Sequence, residues 1–475
     1  MTHFFVVKNS TKSWALQVEE LLRIAAGGKK STVMDFSSCL SWRPISFGRA
    51  RTQFSMRRVH NITWISYQKF GLVNFLSITK SLSYLCKFLM LGKQRLPQLP
   101  TEQAFAQDAI LCRLSQTMGT RYFSVREIPL FYLFKFARET FLGYIAFRIN
   151  NEEKSHITLF NGRDPLESMI IRASLDAGLK VNLLERASSE SRYENYSKSP
   201  HYQPEWWYKA KSFWEESQPI DLVRRREIQK YLEQKSMGFD SFLGQKWQKY
   251  YVEQEHDLNF LKPFVVFFTT STHEFSPITE YECELGFPDQ LEATKVLSNT
   301  CKKLGYRLVI RRHPNSLSPF DEQDREAAHW QGLVGANTFV FGPRDKVNSI
   351  ELAKNSHVAF VWRSSIGLET LFKGIPTFAL GSARWALDES IRAWSEEKIG
   401  SVILNPVQNS RSVLDIYANY MVGGGIPLKR FARVNRNFVT TLNNDRLYMY
   451  LGDRFLLALR EWSLNSIGGK TRRKA

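Results

Sequence analysis

Cysteine is scarce in this sequence, and its few copies do not stand at spacings that would build a disulfide scaffold or a zinc ribbon. The five cysteines are an odd number, which indicates a reducing compartment. No Asp-x-Asp sequence occurs and the nine histidines are scattered, so we expect neither a metal site nor a cofactor. The first residues lack the basic segment of a secretory leader, and we therefore expect a cytoplasmic protein.

The sequence also lacks an uninterrupted apolar run that could span a bilayer, which needs about 20 residues. The most apolar stretch, 70–91, is interrupted by Lys80 and Lys87. A second aromatic-rich stretch, 131–147, carries several charged residues. Both stretches are predicted to be helices. They are interpreted either as ordinary core or as a basic, aromatic surface that makes peripheral contact with an anionic membrane.

Acidic residues are outnumbered, with 46 Asp and Glu against 65 Lys and Arg, for a net charge of +19. Residues 1–150 hold 21 basic and 7 acidic residues, so a third of the chain carries most of the charge. Such a surface attracts nucleic acid, anionic lipid or an acidic polymer, unless it is simply a solvated basic face. The sequence has no recognition helix, aromatic sheet motif or zinc spacing, so we expect no nucleic-acid partner.

The 475 residues are enough for two or three domains, each with its own core. An apolar strand at 4–7, an amphipathic helix at 14–26 and a strand at 31–36 predict the start of a Rossmann-like layer. In the second half, five apolar strands alternate with helices, which predicts a doubly wound α/β domain. These strands are predicted at 264–268, 307–310, 339–341, 358–362 and 377–380.

Polar residues follow two predicted strands in the first half, at 156–160 and 181–184. The segment 161–163 follows the first strand and Glu185 follows the second, while Asp164 is predicted to cap the next helix. In open α/β sheets, ligands bind at the carboxyl ends of strands. We therefore expect these segments to face a substrate, unless Glu185 only pairs with a neighbouring arginine and Asp164 is only a cap.

Two further polar segments, 312–313 and 364–365, end strands of the second half. The second segment also opens a helix, and a helix N-terminus is a natural phosphate site. Gly367 would let the backbone approach a ligand, and Glu369, four residues after Ser365, would accept from ribose hydroxyls. Each segment alone is typical of a hydrogen-bonded turn or a helix cap. Their common position at strand ends predicts a nucleotide site.

Five short segments carry a resemblance to a known group: 160–163, 311–315, 345–349, 364–369 and 374–376. In these segments, which lie within roughly 155–385, the sequence resembles bacterial capsule polysaccharide biosynthesis proteins. Those proteins are related to the bacterial 3-deoxy-manno-octulosonic acid transferases and sialyltransferases. That broader set has a GT-B fold of two Rossmann-like domains facing a cleft, with a His-Pro and a Ser-Ser motif that bind the nucleotide phosphate. The resemblance implies the same α/β fold here, and we also expect a C-terminal helical segment.

Carried over position by position, the resemblance implies a set of site residues. The donor side is expected to comprise Arg312, His313, Asn315, Ser349, Ser364, Ser365, Gly367 and Glu369, with Ser349 capping a helix near the cleft. The acceptor side is expected to comprise Asn161 and Arg163, with Glu185 and Asp164 as candidates for the catalytic base. A departure from the pattern is the pair Trp362-Arg363 before the serines, where Arg363 would either add a phosphate contact or block one.

The leading hypothesis is an inverting, metal-independent glycosyltransferase of surface polysaccharide assembly. A nucleotide-sugar, with CMP favoured as the carrier, would be the donor, and an anionic glycan or glycolipid would be the acceptor. The alternatives are a non-catalytic assembly or export protein and a teichoic-acid-type glycerophosphotransferase, which usually has an acidic-aromatic pair at 362–363. The predicted domains are an acceptor-side domain with basic helical insertions at 1–255, a nucleotide-sugar domain at 256–425, and a C-terminal helix and basic tail at 426–475.

Overall fold

In a computed structural model of the chain, the described residues are 2–7, 11–36, 40, 61–67, 71–93, 110–111, 113–115, 117–118, 125–149, 154–162, 164–189, 191–198, 200, 202–236, 263–271, 286–316, 327, 330–333, 337–343, 345, 347–407, 411–434, 438–442 and 446–448. The predicted basic tail lies outside these residues, as does Arg163 of the predicted acceptor side.

The chain divides into two compact units, each built around one large sheet. The first unit comprises Met1–Ile110, Pro129–Pro200 and Gly425–Ala475, and the second comprises Leu111–Ile128 and His201–Gly424. The domain boundaries predicted from the sequence lie after 255 and 425 instead. The difference arises because two helices between 203 and 236 pack on a helix at 411–423, which belongs to the second unit.

The sheet of the first unit has seven strands. They are β1 Thr2–Val7, β2 Ser31–Asp35, β3 Ile62–Ser66, β4 Lys154–Phe160, β5 Lys180–Arg186, β6 Arg192–Tyr196 and β12 Ile426–Pro427. β1 to β5 are parallel in the order β3-β2-β1-β4-β5, while β6 and β12 are antiparallel at one edge. This order matches the first five strands of the Rossmann order 3-2-1-4-5-6, so the predicted Rossmann-like layer is confirmed.

Among the described residues, the helices between these strands are α1 Thr11–Ala26, α2 Leu72–Met90, α3 Leu130–Ile149 and α4 Pro165–Asp176. The core face of α1 places Trp14 and Leu21 against Phe5 of β1. α2 packs along α3, and α3 packs on α4. Gly143 allows the second contact, because a Cβ there would lie 2.7 Å from the carbonyl oxygen of Leu166. The two helices predicted within 70–91 and 131–147 are therefore present.

The predicted C-terminal helix is corrected for the residues that the structure describes. That segment forms β12 and then β13 Phe431–Val434, β14 Phe438–Thr441 and β15 Arg446–Tyr448, an antiparallel sheet. The buried carboxylate of Glu19 on α1 accepts hydrogen bonds from the backbone N–H groups of 429–431, at 3.0, 2.7 and 2.8 Å. Phe431 also packs on Trp14, with ring centroids 5.7 Å apart. These contacts are remote in sequence, so local periodicity does not reveal them.

The sheet of the second unit has five strands, all parallel. They are β7 Phe264–Phe268, β8 Arg307–Arg311, β9 Thr338–Phe341, β10 Ala359–Val361 and β11 Thr377–Ala379. Their order is β11-β10-β7-β8-β9, which repeats the order of the parallel strands in the first unit. The five predicted strands are confirmed with small shifts at their ends. The entire β7 strand is buried, as its continuous apolar run predicts.

The structure describes seven helices of the second unit from end to end. They are α5 Gln203–Glu216, α6 Leu222–Ser236, α7 Gln290–Lys303, α8 Ser349–Asn355, α9 Ile366–Phe372, α10 Glu396–Leu404 and α11 Arg411–Gly423. Trp206 of α5 packs on Tyr417 and Tyr420 of α11, with ring centroids 5.3 and 5.0 Å apart. Arg224 of α6 donates from Nη2 to the carbonyl oxygen of Asn419, at 2.8 Å. No helix in the described parts of the chain has the length and hydropathy needed to cross a membrane.

Candidate functional site

The strand order places a topological switch point in the second unit between β7 and β10. In open α/β sheets, ligands bind at such a point, outside the carboxyl ends of the strands. The chain leaves β7, β8 and β10 through segments 269–271, 312–316 and 362–365. All three segments carry hydroxyl groups, and two of them carry cations. This edge of the sheet is therefore the candidate site.

Helix α7 holds the segment that follows β7 through the side chain of Gln290. The side chain of Gln290 on α7 accepts from the backbone N–H of Thr270 at 2.9 Å and donates to its carbonyl oxygen at 3.2 Å. The hydroxyl of Thr269 accepts from the backbone N–H of His313, at 3.0 Å. The buried Ser271 hydroxyl has no hydrogen-bond partner within the described part of the chain. A buried hydroxyl of this kind is costly unless a ligand or water satisfies it.

Arg311, the last residue of β8, fixes a neighbouring turn. Its guanidinium donates from Nη1 to the carbonyl oxygen of Gly342 and from Nη2 to that of Asp345, the latter at 3.1 Å. The Asp345 carboxylate accepts in turn from the backbone N–H of Gly342, at 2.7 Å. Arg311 is thus a structural residue that joins the end of β8 to the turn after β9, which makes it unavailable as the site's free cation.

Arg312 and His313 come next along the chain. Arg312 is almost fully buried, with 2% of its surface exposed, and His313 is half-buried. A short 3-10 turn, Pro314–Ser316, comes after them, and the buried hydroxyl of Ser316 has no hydrogen-bond partner among the described residues. Asn315 lies in this turn, and its side chain is outside the described part of the structure.

The two serines after β10 have different environments. The Ser364 Oγ accepts from the backbone N–H of Ile366 at 3.5 Å, so this hydroxyl faces the turn. Ser365 precedes α9 directly but has helical dihedral angles (φ −68°, ψ −15°) and makes no side-chain cap hydrogen bond. Ser365 is exposed, and its hydroxyl is therefore the one presented to solvent.

The start of α9 offers fewer free amides than the sequence indicates. The N–H groups of Gly367 and Leu368 already donate to the carbonyl oxygens of Ser364 and Ser365, at 3.4 and 3.0 Å. The helix has only seven residues, so its dipole is small. An anion at this edge would depend mainly on side-chain hydroxyls and cations. Glu369, the predicted ribose ligand, is buried one turn into the helix.

Gly367 has a packing role, while its predicted contact with a ligand stays a prediction. The indole of Trp385 lies against Gly367, and a Cβ there would overlap the ring. The Trp385 Nε1–H also donates to the carbonyl oxygen of Ser364, at 2.9 Å. This tryptophan therefore holds both the serine turn and the start of α9.

Ser349 is not the helix cap that the resemblance implies. Asn348 occupies the cap position of α8, and its Oδ1 accepts from the backbone N–H groups of Ile350 and Glu351, at 2.9 and 3.2 Å. Ser349 is the first residue inside the helix and is half-buried. The short polar side chain of Asn348 suits the cap because its oxygen reaches the orphan amides of the first turn.

In the first unit, Asn161 and Glu185 meet at the carboxyl ends of β4 and β5. The Asn161 side-chain amide donates to one carboxylate oxygen of Glu185, and the other oxygen accepts from the backbone N–H of Arg186 at 2.9 Å. Asn161 has a φ of +59°, a left-handed conformation that asparagine tolerates better than most residues. Glu185 thus pairs with an amide and the Arg186 backbone, and it is half-buried.

Asp164 stands at the cap position of α4, before Pro165, but makes no side-chain cap hydrogen bond. The predicted N-cap position of Asp164 is therefore confirmed, although its carboxylate makes no cap hydrogen bond. Gly162, between Asn161 and Asp164, has a φ of +80°, and a Cβ there would lie 2.5 Å from Ile171.

No group of three or more His, Cys, Asp or Glu side chains in the described residues could hold a metal ion.

Several residues that shape this edge belong to no recognisable motif. Thr269 and Ser271 are two of them. Their signal is a run of hydroxyl residues directly after the most apolar strand of the unit. Gln290 and Trp385 act through contacts that are distant in sequence, and only the folded chain brings them to the site.

A scan against protein-family models and a search of curated proteins found no match. Among solved structures, the chain is similar to two of KpsC from Thermosulfurimonas dismutans. Its beta Kdo 2,4 transferase is 10% identical with a TM-score of 0.35, over 55% of this chain and 78% of that one. Its beta Kdo 2,7 transferase is 13% identical with a TM-score of 0.35, over 67% and 89%. The UDP-GlcNAc 2-epimerase of Methanocaldococcus jannaschii is 9% identical with a TM-score of 0.23, over 87% and 97%. At such low identity, a function for this chain depends on its own topology and residues.

Proposed function

We propose that this chain is an inverting glycosyltransferase that takes its sugar from a nucleotide-sugar, with a CMP-sugar favoured. The acceptor would be a surface polysaccharide or a glycolipid. The observation that supports this most is the convergence of segments 269–271, 312–313 and 364–365 at the carboxyl edge of a sheet with Rossmann order. Preorganised cations and hydroxyls at one edge are what the negative charge of a departing phosphate requires.

Each donor-side group has a distinct proposed part. His313 and Arg312 supply positive charge or donors to the phosphate, and the exposed Ser365 hydroxyl donates a further hydrogen bond. The buried hydroxyls of Ser271 and Ser316 have no described protein partner and are candidates for the same ligand. Trp385 positions the serine turn without touching the ligand.

The proposed chemistry is a single displacement at the anomeric carbon. The acceptor oxygen forms a bond to that carbon while the bond from the carbon to the phosphate oxygen breaks, and the nucleotide leaves with the bonding electrons. Glu185 takes the proton of the acceptor hydroxyl. Among the described residues, each oxygen of its carboxylate accepts one hydrogen bond, from Asn161 or from the Arg186 backbone, which leaves lone pairs to accept a proton.

Nucleotide affinity measured by calorimetry tests the donor site. His313→Ala is expected to weaken binding by roughly 10- to 150-fold, the range for hydrogen bonds to charged groups. A matched control is His357→Gln, because His357 precedes β10 at the opposite edge of the same sheet and bonds the carbonyl oxygen of Ile403 at 2.7 Å. Unchanged affinity in His313→Ala for CMP, UDP, GDP and CDP would remove the donor site from this edge.

Turnover assays separate the proposed reaction from its alternatives. Release of free nucleotide from a nucleotide-sugar with acceptor present, and undiminished by EDTA, is the expected result. Loss of activity on chelation, restored by Mg²⁺, would contradict the metal-independent mechanism. Nucleotide binding without any turnover would favour a non-catalytic assembly protein, and turnover of CDP-glycerol alone would favour a glycerophosphotransferase.

A further inference from the structure

Helix α2 of the first unit buries its polar side and exposes its apolar side. Its buried residues are Asn74, Ser77, Ser81, Tyr84 and Phe88, which recur every three or four positions and so lie on one face. α2 packs along α3, and Arg138 of α3 donates from Nε and Nη2 to the Asn74 Oδ1, at 3.1 and 2.9 Å. The Ser77 and Ser81 hydroxyls donate to carbonyl oxygens of their own helix, at 2.7 and 2.6 Å. The Asn74, Ser77 and Ser81 side chains are thus satisfied internally, whereas the buried Tyr84 hydroxyl has no hydrogen-bond partner among the described residues.

The opposite side of α2 carries a row of large apolar side chains, which we call the apolar stripe. Its members and exposed fractions are Leu72 68%, Phe75 60%, Leu82 48%, Leu89 44% and Met90 78%. The intervals of three and seven residues between the first four keep them on one side of the helix. An ordinary surface helix turns such a stripe toward the core, and a contiguous exposed patch of this kind marks an interaction surface.

The charged residues of α2 itself are all of one sign. Lys80 and Lys87 are exposed and stand seven residues apart, so they flank the stripe on the same edge of α2. The helix contains no Asp or Glu. From residue 36 to residue 101 the sequence has ten Lys or Arg residues and no acidic residue. A second copy of the chain would oppose these cations with its own, whereas an anionic surface complements them.

We propose that α2 lies flat in the headgroup layer of a bilayer that contains anionic lipids. The stripe enters the acyl boundary, and Lys80 and Lys87 reach lipid phosphates while their aliphatic stems follow the apolar surface. A 19-residue helix is about 28 Å long, so the whole stripe can lie parallel to the membrane plane. This inference rests on α2 alone and holds whatever the reaction of the second unit.

Vesicle flotation of the full chain tests the proposal. Binding is expected to vesicles of phosphatidylcholine with phosphatidylglycerol and to be at least about 10-fold weaker to phosphatidylcholine alone, with a steep loss as salt rises through about 0.15 M. The double variant Phe75→Glu/Leu82→Glu should lower binding at least about 10-fold. The matched control is Leu404→Glu/Val407→Glu, which changes two residues of the second unit that are 68% and 77% exposed. Equal binding by wild type and the stripe variant would overturn the proposal.

A second measurement covers the case in which the stripe variant does not fold. Cys86 is exposed within the stripe, four residues after Leu82. The labelled protein carries Cys39→Ser, Cys112→Ser and Cys283→Ser and keeps the buried Cys301. The emission of an environment-sensitive dye on Cys86 should shift to the blue on anionic vesicles and be quenched by brominated lipid chains. The same dye on Ser401→Cys, with Cys86→Ser, should do neither. No shift at Cys86, or a lipid-free dimer that the double variant Phe75→Glu/Leu82→Glu abolishes, would show that the stripe serves something other than a membrane.

Discussion

Adjacent serines after β10 illustrate how similar residues acquire different parts. The Ser364 hydroxyl accepts from a backbone amide of its own turn, whereas the Ser365 hydroxyl makes no cap hydrogen bond and is exposed. We expect Ser365→Ala to leave the unfolding midpoint unchanged and to weaken nucleotide binding about 10-fold or more. Ser364→Ala should instead lower stability by about 0.5–1 kcal/mol, the lower range for a capping side chain. Denaturant unfolding and calorimetry on both variants check this, and an affinity loss confined to Ser364→Ala would reverse the assignment.

The carboxylate of Glu185 is the proposed base, and its test is a change that preserves shape. Glu185→Gln is expected to lower turnover by about 10²–10⁴-fold and to leave donor binding intact, because proton transfer is lost while the donor groups lie on the second unit. Steady-state kinetics and nucleotide calorimetry provide the two readouts.

The control for Glu185 is Asp164, the other candidate carboxylate of the first unit. If Asp164→Asn lowers turnover and Glu185→Gln does not, the base belongs to the start of α4 and not to the end of β5. Asn161 gives an independent check, because Asn161→Ala removes the side-chain donor to Glu185 without removing the carboxylate. We expect a smaller loss of turnover from that change than from Glu185→Gln.

At the scale of elements, the pairing of β1 with β4 joins two histidines. His3 and His156 are in register and stack, with ring centroids 4.7 Å apart. Burial lowers the pKa of both below the ordinary value of 6.5, and their mutual repulsion and the nearby Lys29 lower the pKa of His3 further. The folded state therefore prefers both rings neutral, while the unfolded chain takes up protons as soon as the pH falls through about 6.5.

The contribution of these two histidines to the free energy of unfolding is consequently expected to be fully present above pH 7. It should decrease as the pH drops below about 6.5, toward the lower folded pKa values. In His156→Gln, which cannot be protonated, the decrease between pH 7 and pH 5 should be smaller. Urea unfolding at several pH values measures this difference. An identical decrease in wild type and variant would show that other groups set the acid response.

Elements differ in how much of them the sequence predicts. The strand Phe264–Phe268 is recognisable because five consecutive apolar residues need two covered faces. Strands β12 to β15 were predicted as a helix, since their conformation depends on Glu19 and Trp14 more than 400 residues earlier. The inverted orientation of α2 was equally hidden, because periodicity shows that a helix has two faces but not which one α3 covers.

At the scale of the whole molecule, a bound nucleotide should be visible as added stability. A ligand at 100 times its dissociation constant stabilises a protein by about 2.7 kcal/mol. We expect a thermal-shift screen to single out one carrier among CMP, UDP, GDP and CDP, with CMP first, and the shift to disappear in His313→Ala. A screen in which UDP alone stabilises the protein would replace the proposed donor while keeping the site.

The α/β class, the second Rossmann-like sheet and the polar character of its strand ends could be predicted, because apolar runs, glycine stops and turn residues are local signals. The strand order shared by both units, the position of Trp385 against Gly367 and the exposure of Ser365 rather than Ser364 are visible only in the folded chain. The same holds for the outward orientation of the apolar stripe of α2. Each of these depends on which remote surfaces meet, and packing between distant segments leaves no periodic trace in the chain.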